Sequence, residues 1–377
     1  MSILTRKKTT QEYKEKLASL PTNTRENIQA AINGFTRFVN QKYQSTPDKI
    51  CEELITIKKT EGDEEYEKKL YDFLQDWIDW SILDKLGAYT IKTRFSILRS
   101  YLYYLGVKTN PQDIKQLLYF PRKVTEEKYP IKKQEIRDLV NAQGRHPKRQ
   151  AFYLACSSSG MRVGEALHIK KSDLDFSLDR IMIRLKPEYT KTKTGRTTFV
   201  SKECEEKVMM YYDKLDDNDY VFTNSKGDFK GRGRVEQTAL ANALETLGYT
   251  ERYSSNGFYK ITSHSFRAFF FTAATRKHDE NYAHKMTGHG GYLMVYDRMT
   301  DEEKLELYIQ LEPELVVFDQ TKNEIEINQL KDKVDDTSII RDELRRMREE
   351  MEKMKESQAK SDKKTIELMK KKGIITS

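Results

Sequence analysis

Three apolar stripes at helical spacing open this chain and limit what its first third can become. Ile28, Ile32, Phe35 and Phe38 form one, Leu70, Phe73, Leu74 and Trp77 a second, and Ile97, Leu98, Tyr101 and Leu105 a third. Side chains three or four apart share one side of a helix, so residues 22–120 are expected to be several helices around one core. Lys92, Arg94, Arg99 and Lys108 stand among tyrosines in this stretch. Asn110–Tyr129 then carries Pro111, Pro121 and a charged run ending at Pro130, without apolar periodicity, which predicts a linker.

A different pattern begins at Ile131. KKQEIRDLVNAQ reads as an amphipathic helix and AFYLACSSS as a buried one, and Val163, Ala166, Leu167 and Ile169 continue a helical face. Ile181, Ile183 and Leu185 alternate, which marks a strand with one buried face. Thr197–Val200 reads as the returning strand, KTKTG as the turn between them, and Tyr220–Phe222 as a third strand. Helices resume at Val235–Leu247 and at Ser263. The expected fold class is mainly α with a small antiparallel β-sheet. The expected domains are 1–120, a linker at 121–130, a second domain at 131–318 and a helical tail at 319–377.

In the tail, Ile327, Leu330 and Val334 fit an a/d seam, as do Ile340, Leu344, Met347, Met351 and Met354. Charged residues fill the other positions. The segment reads as one long exposed helix, either paired in a coiled coil or docked on a partner, or else solvated alone.

The net charge of +8 favours a polyanionic partner. The N-terminal residues lack the apolar core of a secretory signal, and no apolar run reaches membrane-span length. No membrane association is therefore expected. Cys51, Cys156 and Cys204 are scattered and odd in number, which argues against a disulfide framework or a cysteine-based zinc site. A reducing cytoplasm is the expected compartment.

The chemistry concentrates in two places. Arg162 lies in SSSGMRVGEAL, three residues before Glu165, and the lysine-rich KTKTGR turn with Lys191 and Lys193 follows. Further on, SHSFRAFFF holds His264 and Arg267 three apart, so both can meet one small anion. His289 follows Gly288, and Tyr296 comes seven residues later. Arginine donates two parallel hydrogen bonds and does not deprotonate, which suits it to a phosphate. Lysine on a turn can donate a proton to a leaving oxygen. A phenol can serve as nucleophile where cations lower the cost of ionising it. His264 could accept the phenol proton or bind a phosphate oxygen, and a helix start favours an anion nearby. His278 and His284 lie close by, but no Asp or Cys spacing turns them into metal ligands. No metal and no cofactor is expected.

The ordered set Arg162, Lys193, His264, Arg267, His289 and Tyr296 resembles the tyrosine recombinases, the phage integrase and Xer class, over roughly Ile131–Pro313. That resemblance implies a helical DNA-clamping domain ahead of a catalytic domain, the two closing on DNA as a C-shaped clamp. It implies Arg162, Arg267 and His289 on the phosphate, Lys193 as proton donor, Glu165 as an accessory residue orienting an active-site base, and Tyr296 as nucleophile. It makes Lys92, Arg94, Arg99 and Lys108 candidate DNA contacts. It further implies a 3′-phosphotyrosyl intermediate on double-stranded DNA with a specific recombination site, and a homo-tetramer on two duplexes. The setting it implies is the nucleoid of a prokaryote or a virus, as in an archaeal or viral mobile element. The seven-residue interval from His289 to Tyr296 is two shorter than is common in that family. Lys191 competes with Lys193, Tyr292 and Tyr308 with Tyr296, and a solvent-facing pair with a lysine competes for Glu165. Two other functions share these residues: a DNA-binding protein of the same fold without the reaction, and a hairpin telomere resolvase or type IB topoisomerase-like strand transferase.

Overall fold

The structure is a computed structural model that describes residues 8–224, 228–288, 298–331, 346–347 and 350–353. It separates into two compact units, one of Met1–Glu127 with Ser254–Gly257 and one of Lys128–Tyr253 with Phe258–Ser377.

The first unit is helical: α1 (Thr10–Lys16), α2 (Thr22–Tyr43), α3 (Pro47–Thr60), α4 (Asp63–Leu83), α5 (Ala88–Tyr104) and α6 (Pro111–Leu117). The stripes predicted for α2 and α4 line its core, with Phe35, Phe38, Leu70, Leu74 and Trp77 buried. In α5 the buried stripe is Ile91, Phe95, Leu98, Tyr101 and Leu102, and Ile97 is only half-buried. Of the expected stripe, Leu98, Tyr101 and Leu105 are buried, and Ile91 and Phe95 extend it toward the start of the helix.

The expected linker begins with a helix. Pro111 occupies the first helical turn, where a missing N–H costs nothing. Asn110 Oδ1 caps that turn by accepting the Gln112 N–H at 2.9 Å. The Tyr71 hydroxyl accepts from the Asn110 N–H at 3.0 Å and donates to Asp113 at 3.2 Å, tying α6 to α4. Residues 118–132 carry neither helix nor strand.

The second unit holds α7 (Lys133–Asn141), α8 (Pro147–Ser159), α9 (Val163–Ala166), β1 (Leu174–Asp175), β2 (Met182–Leu185), β3 (Arg196–Phe199), α10 (Lys202–Met209), α11 (Phe229–Leu247), α12 (Ser263–Lys277), α13 (Glu280–Thr287) and α14 (Asp301–Leu315). The sheet order is β1–β2–β3, all antiparallel, with Met182 opposite Phe199 and Leu185 opposite Arg196. The third strand is therefore Leu174–Asp175. Tyr220 makes only an isolated bridge to Lys170, outside the three-stranded sheet.

Helix α8 is the axis of this unit, with Ala151–Ser159 wholly buried. Its C-terminal carbonyls need donors that helix geometry does not supply. Thr198 from β3 donates to the Ser159 carbonyl at 2.8 Å, and the Tyr308 hydroxyl from α14 donates to the Ser158 carbonyl at 3.0 Å. Tyr308 is fully buried, and burial pushes its phenol well above its usual range. It is a structural tyrosine of the core and not a candidate nucleophile.

Gly160 ends α8 at φ +64°. A Cβ there would lie 2.5 Å from the Phe270 ring, so glycine lets α12 cross at close range.

Helix α14 is held by ionic contacts. The buried Glu312 carboxylate accepts from Arg180 Nη2 at 2.8 Å and from the Lys202 N–H at 2.7 Å. Beyond it, buried Glu203 accepts the Val317 and Phe318 N–H groups at 3.0 and 3.2 Å. Residues 319–331 are helical, with Thr321 and Ile325 buried and Gln329 donating to the Ile309 carbonyl at 2.8 Å. The seam residues Ile327, Leu330, Met347 and Met351 are exposed, so the face that docks here is not the predicted seam. The rest of the tail lies outside the described residues. Among the described residues no helix is long and apolar enough to cross a membrane.

Burial pushes the Glu203 carboxyl up to about 7, against the pull of its two N–H donors. A folded-state pKa above the ordinary carboxylate value means that folding favours the protonated form. This contribution to stability is complete below about 4.5, the ordinary glutamate value, and is lost as pH rises through about 7. Thermal denaturation from pH 5 to 8 is therefore expected to show a falling midpoint, with a shallower fall in Glu203→Gln. An identical slope in the variant would assign the pH dependence elsewhere.

Candidate active site

One buried carboxylate organises the polar interior of the second unit. Glu165 sits in α9, a single turn between α8 and the sheet, and is 1% exposed. It reaches back to accept the Arg162 N–H at 2.8 Å and Arg162 Nη1 at 2.8 Å. Its two oxygens also take the Arg196 guanidinium, at 2.6 Å from Nη2 and 3.3 Å from Nη1. Arg267 Nη1 comes within 4.0 Å of the same group. The sequence offered a solvent-facing pair with a lysine as one reading of Glu165. The structure replaces it: the partners are arginines and the carboxylate is inside.

Each arginine arrives from a different element. Arg162 has extended backbone at the cap of α9, one residue ahead of the helical face that starts at Val163. Arg196 opens β3. Arg267 lies one turn into α12, whose start is secured by the Thr262 N–H donating to Ser265 Oγ at 3.0 Å. Arg267 is buried and donates from Nη1 to the Gly160 carbonyl and from Nη2 to the Thr287 carbonyl at 2.5 Å. Arg196 Nε donates to the Met286 carbonyl at 3.0 Å. Gly288, at φ +66°, leaves room for Arg196; a Cβ there would meet Nη1 at 2.8 Å.

The charges do not cancel. Three guanidinium groups face one carboxylate, which leaves an excess of two positive charges. Burial first, then the positive charge of Arg162, pulls Arg267 down to about 10. Burial alone would raise Glu165, but the hydrogen bonds and charge of Arg196 outweigh it and hold the carboxyl below its usual value. Such a cluster gains from an incoming anion. Its side chains differ in access: those of Arg196 and Arg267 are 10% and 6% exposed, that of Arg162 23%. His264, one helical turn from Arg267, is exposed. Partial burial of its ring, then the charges of Arg267 and Arg162, lower its pKa, which favours the neutral imidazole. The accessible edge of the cluster thus carries Arg162 and a histidine able to accept a proton.

Lys193 stands three residues before Arg196, exposed, in the β2–β3 turn. Its φ is +57°, a left-handed conformation uncommon for lysine. The turn is built around Thr190, whose Oγ1 accepts the Thr194 N–H at 3.1 Å and donates to the Thr194 carbonyl at 3.1 Å. Lys191 is exposed in the same turn, without the left-handed backbone.

The structure therefore brings Arg162, Glu165, Arg267 and His264 together. His289, Tyr296 and the competing Tyr292 lie outside the described residues, which stop at Gly288, against Arg196, and resume at Arg298. Arg196 does not stand out in the sequence, where KTKTGR reads as a lysine-rich turn. The sequence signal nearest to it is the strand alternation that puts Arg196 on the same face as Thr198.

His278 points elsewhere, its ring Nε2 within 2.8 Å of the Leu307 carbonyl, and the His284 ring packs on Phe271. Among the described residues no group of side chains is arranged to hold a metal.

Of the candidate DNA contacts of the first unit, Lys92, Arg94 and Arg99 lie on α5 and Lys108 beyond it. Lys92 and Arg99, seven apart, share a side of α5, whereas Arg94 lies two residues from Lys92 and so on the opposite flank. Arg99 Nε donates to Thr109 at 3.2 Å, Arg94 packs near Gly34, and Lys108 is exposed beyond the helix.

Residues 130–303 match the model of the phage integrase family. This part of the chain is a member of that family, the tyrosine recombinases. Similar solved structures include a lambda integrase(75-356) dimer bound to a COC′ core site, 13% identical, with a TM-score of 0.51, covering 77% of this chain and 97% of that one. A second lambda integrase dimer bound to a COC′ core site is 13% identical with a TM-score of 0.50, covering 77% and 79%. XerA recombinase is 18% identical over 80% of this chain and 98% of its own, with a TM-score of 0.36. No curated protein matches the chain. The tyrosine-recombinase fold, mainly helical with a small antiparallel sheet, is thus the fold of this chain.

Two outcomes follow from this geometry. Glu165→Gln leaves Arg196 and Arg267 buried beside a neutral amide, and should cost about 3–5 kcal/mol in urea denaturation, as for other broken buried pairs. A change below 1 kcal/mol would show that the arginines relax to water. Lys193→Gly removes a left-handed lysine, so its melting temperature should not fall. A clear drop in melting temperature would mean that the lysine itself stabilises the turn.

Proposed function

We propose that this chain is a site-specific DNA recombinase, an integrase, that cuts and rejoins double-stranded DNA through a 3′-phosphotyrosyl intermediate. The observation that carries the reading is the convergence of Arg162 and Arg267 on Glu165, with His264 at the accessible edge.

In this reaction Arg162 and Arg267 hold the non-bridging oxygens of one phosphate, and His289 donates to the same group. The Tyr296 oxygen bonds to phosphorus and the bond to the 5′ oxygen breaks. Lys193 supplies the proton that the 5′ oxygen needs, and His264 accepts the phenol proton or binds a phosphate oxygen. A 5′ hydroxyl from a second duplex then attacks phosphorus and releases the tyrosine, which regains its proton. One phosphodiester replaces another, so the exchange needs no ATP, and the cations do the work of charge stabilisation that a metal would do. Glu165 stays ionised and fixes the arginines.

Residues 1–120 would contribute a helical clamp, with Lys92, Arg94, Arg99 and Lys108 on DNA phosphates, and 131–318 the catalytic domain. Four protomers on two duplexes would complete the assembly. The exposed seam residues Ile327, Leu330, Met347 and Met351 support self-association or partner binding through the tail.

The test is covalent capture. Incubated with nicked duplexes of randomised sequence, the protein should yield a detergent-stable adduct that mass spectrometry maps to Tyr296. Tyr296→Phe should form none, Tyr292→Phe should keep it, and Arg162→Ala should lower its rate by about 10²–10³. Binding without any adduct would instead favour a DNA-binding protein that has lost the reaction. An adduct on another tyrosine would move the nucleophile.

A further inference from the structure

We propose that Arg196 is a positioning residue for the proton transfer to the leaving 5′ oxygen, acting by fixing the turn that carries Lys193. The proposal rests on the recombinase reading above and adds a residue to it.

Arg196 is the root of that turn. Its guanidinium spends donors in two directions, a pair on Glu165 and one on the Met286 carbonyl, and its side chain is 10% exposed. Glu165 in turn holds Arg162 and lies beside Arg267. The strand end that begins at Arg196 is therefore registered against the phosphate-binding arginines, not merely against its sheet partner Leu185.

From that root the path to Lys193 is short and stiff. Gly195 sits close to the Leu185 carbonyl and Pro187; a Cβ there would approach them at 3.0 and 3.3 Å. Thr194 is clamped from both sides by Thr190, and the Lys193 N–H donates to the Thr190 carbonyl at 3.3 Å. The left-handed backbone at Lys193 is the outlier that this framework imposes. A planar two-pronged donor is required at position 196. Lysine has one ammonium group and cannot bond both Glu165 oxygens and the Met286 carbonyl in the same geometry.

The chemical step gives a readout that separates positioning of the acid from general support. With ordinary DNA, the Tyr–P bond forms, the P–O5′ bond breaks, and O5′ takes a proton from Lys193. With a bridging sulfur in place of O5′, the P–S bond breaks and the thiolate leaves without that proton, because a thiol is far more acidic than an alcohol. Loss of the acid is then harmless, while loss of phosphate binding is not.

The experiment measures single-turnover cleavage of matched oxygen and sulfur substrates, built on the sequence that covalent capture selects, by the full-length protein. Lys193→Ala and Arg196→Lys should both slow the oxygen substrate by about 10²-fold or more, and both should return to within about tenfold of wild type on the sulfur substrate. Arg162→Ala should stay slow on both. Arg196→Gln guards against a folding defect peculiar to lysine and should behave like Arg196→Lys. The assignment is overturned if Lys193→Ala is rescued and neither Arg196 variant is, if both Arg196 variants are equally slow on the two substrates or fail to fold, or if neither is slow on oxygen. It is also overturned if Lys193→Ala is not rescued. Wild type forming no adduct with either substrate is a separate result, which defeats the recombinase reading itself.

Discussion

The second unit depends on a single buried carboxylate. Glu165 neutralises one of three guanidinium groups and leaves an excess of +2 inside the fold. An isolated buried charge of this kind would be costly. Here it is tolerated because backbone carbonyls of Gly160, Met286 and Thr287 receive further guanidinium N–H groups. Those carbonyls come from the ends of α8 and α13, where helix geometry leaves acceptors unused. The helix termini and the arginines thus solve each other's problem: the helices gain donors and the cations gain a dry, fixed seat.

The rest of the unit can be understood as what holds those termini in place. Helix α8 supplies the Gly160 end and is sealed by Tyr308 and Thr198. Helix α12 can approach only because position 160 has no side chain, and that approach sets the depth of Arg267. Strand β3 delivers Arg196, and its pairing with β2 sets where the lysine turn projects. Helix α14 is anchored by Glu312, and the segment after it by Glu203. A sheet of three short strands is therefore enough, since its task is to place one arginine and one turn.

Much of this was legible in the sequence. Helical spacing gave the cores of α2 and α4, because large apolar residues at those intervals have only one way to leave water. Arg162, Glu165, His264 and Arg267 were legible through their order and local context, and the structure places them together. What escaped follows from tertiary pairing. Arg196 looks like one more cation on a basic turn, and nothing local says that its partners lie about thirty residues upstream and ninety downstream. The Leu174–Asp175 strand is two residues long, too short for any alternation to show. Pro111 reads as a linker signal unless the Asn110 cap before it and the Tyr71 hydroxyl across the bundle are counted.

The reach of the Glu165 cluster along the chain has a consequence for biosynthesis. Its members come from positions 162, 165, 196 and 267, and its carbonyls from 160, 286 and 287. No ribosome-bound fragment that stops short of α13 contains them all. A truncated or half-made polypeptide therefore has scattered cations and no finished pocket, so the charged cluster is completed late in synthesis and all at once.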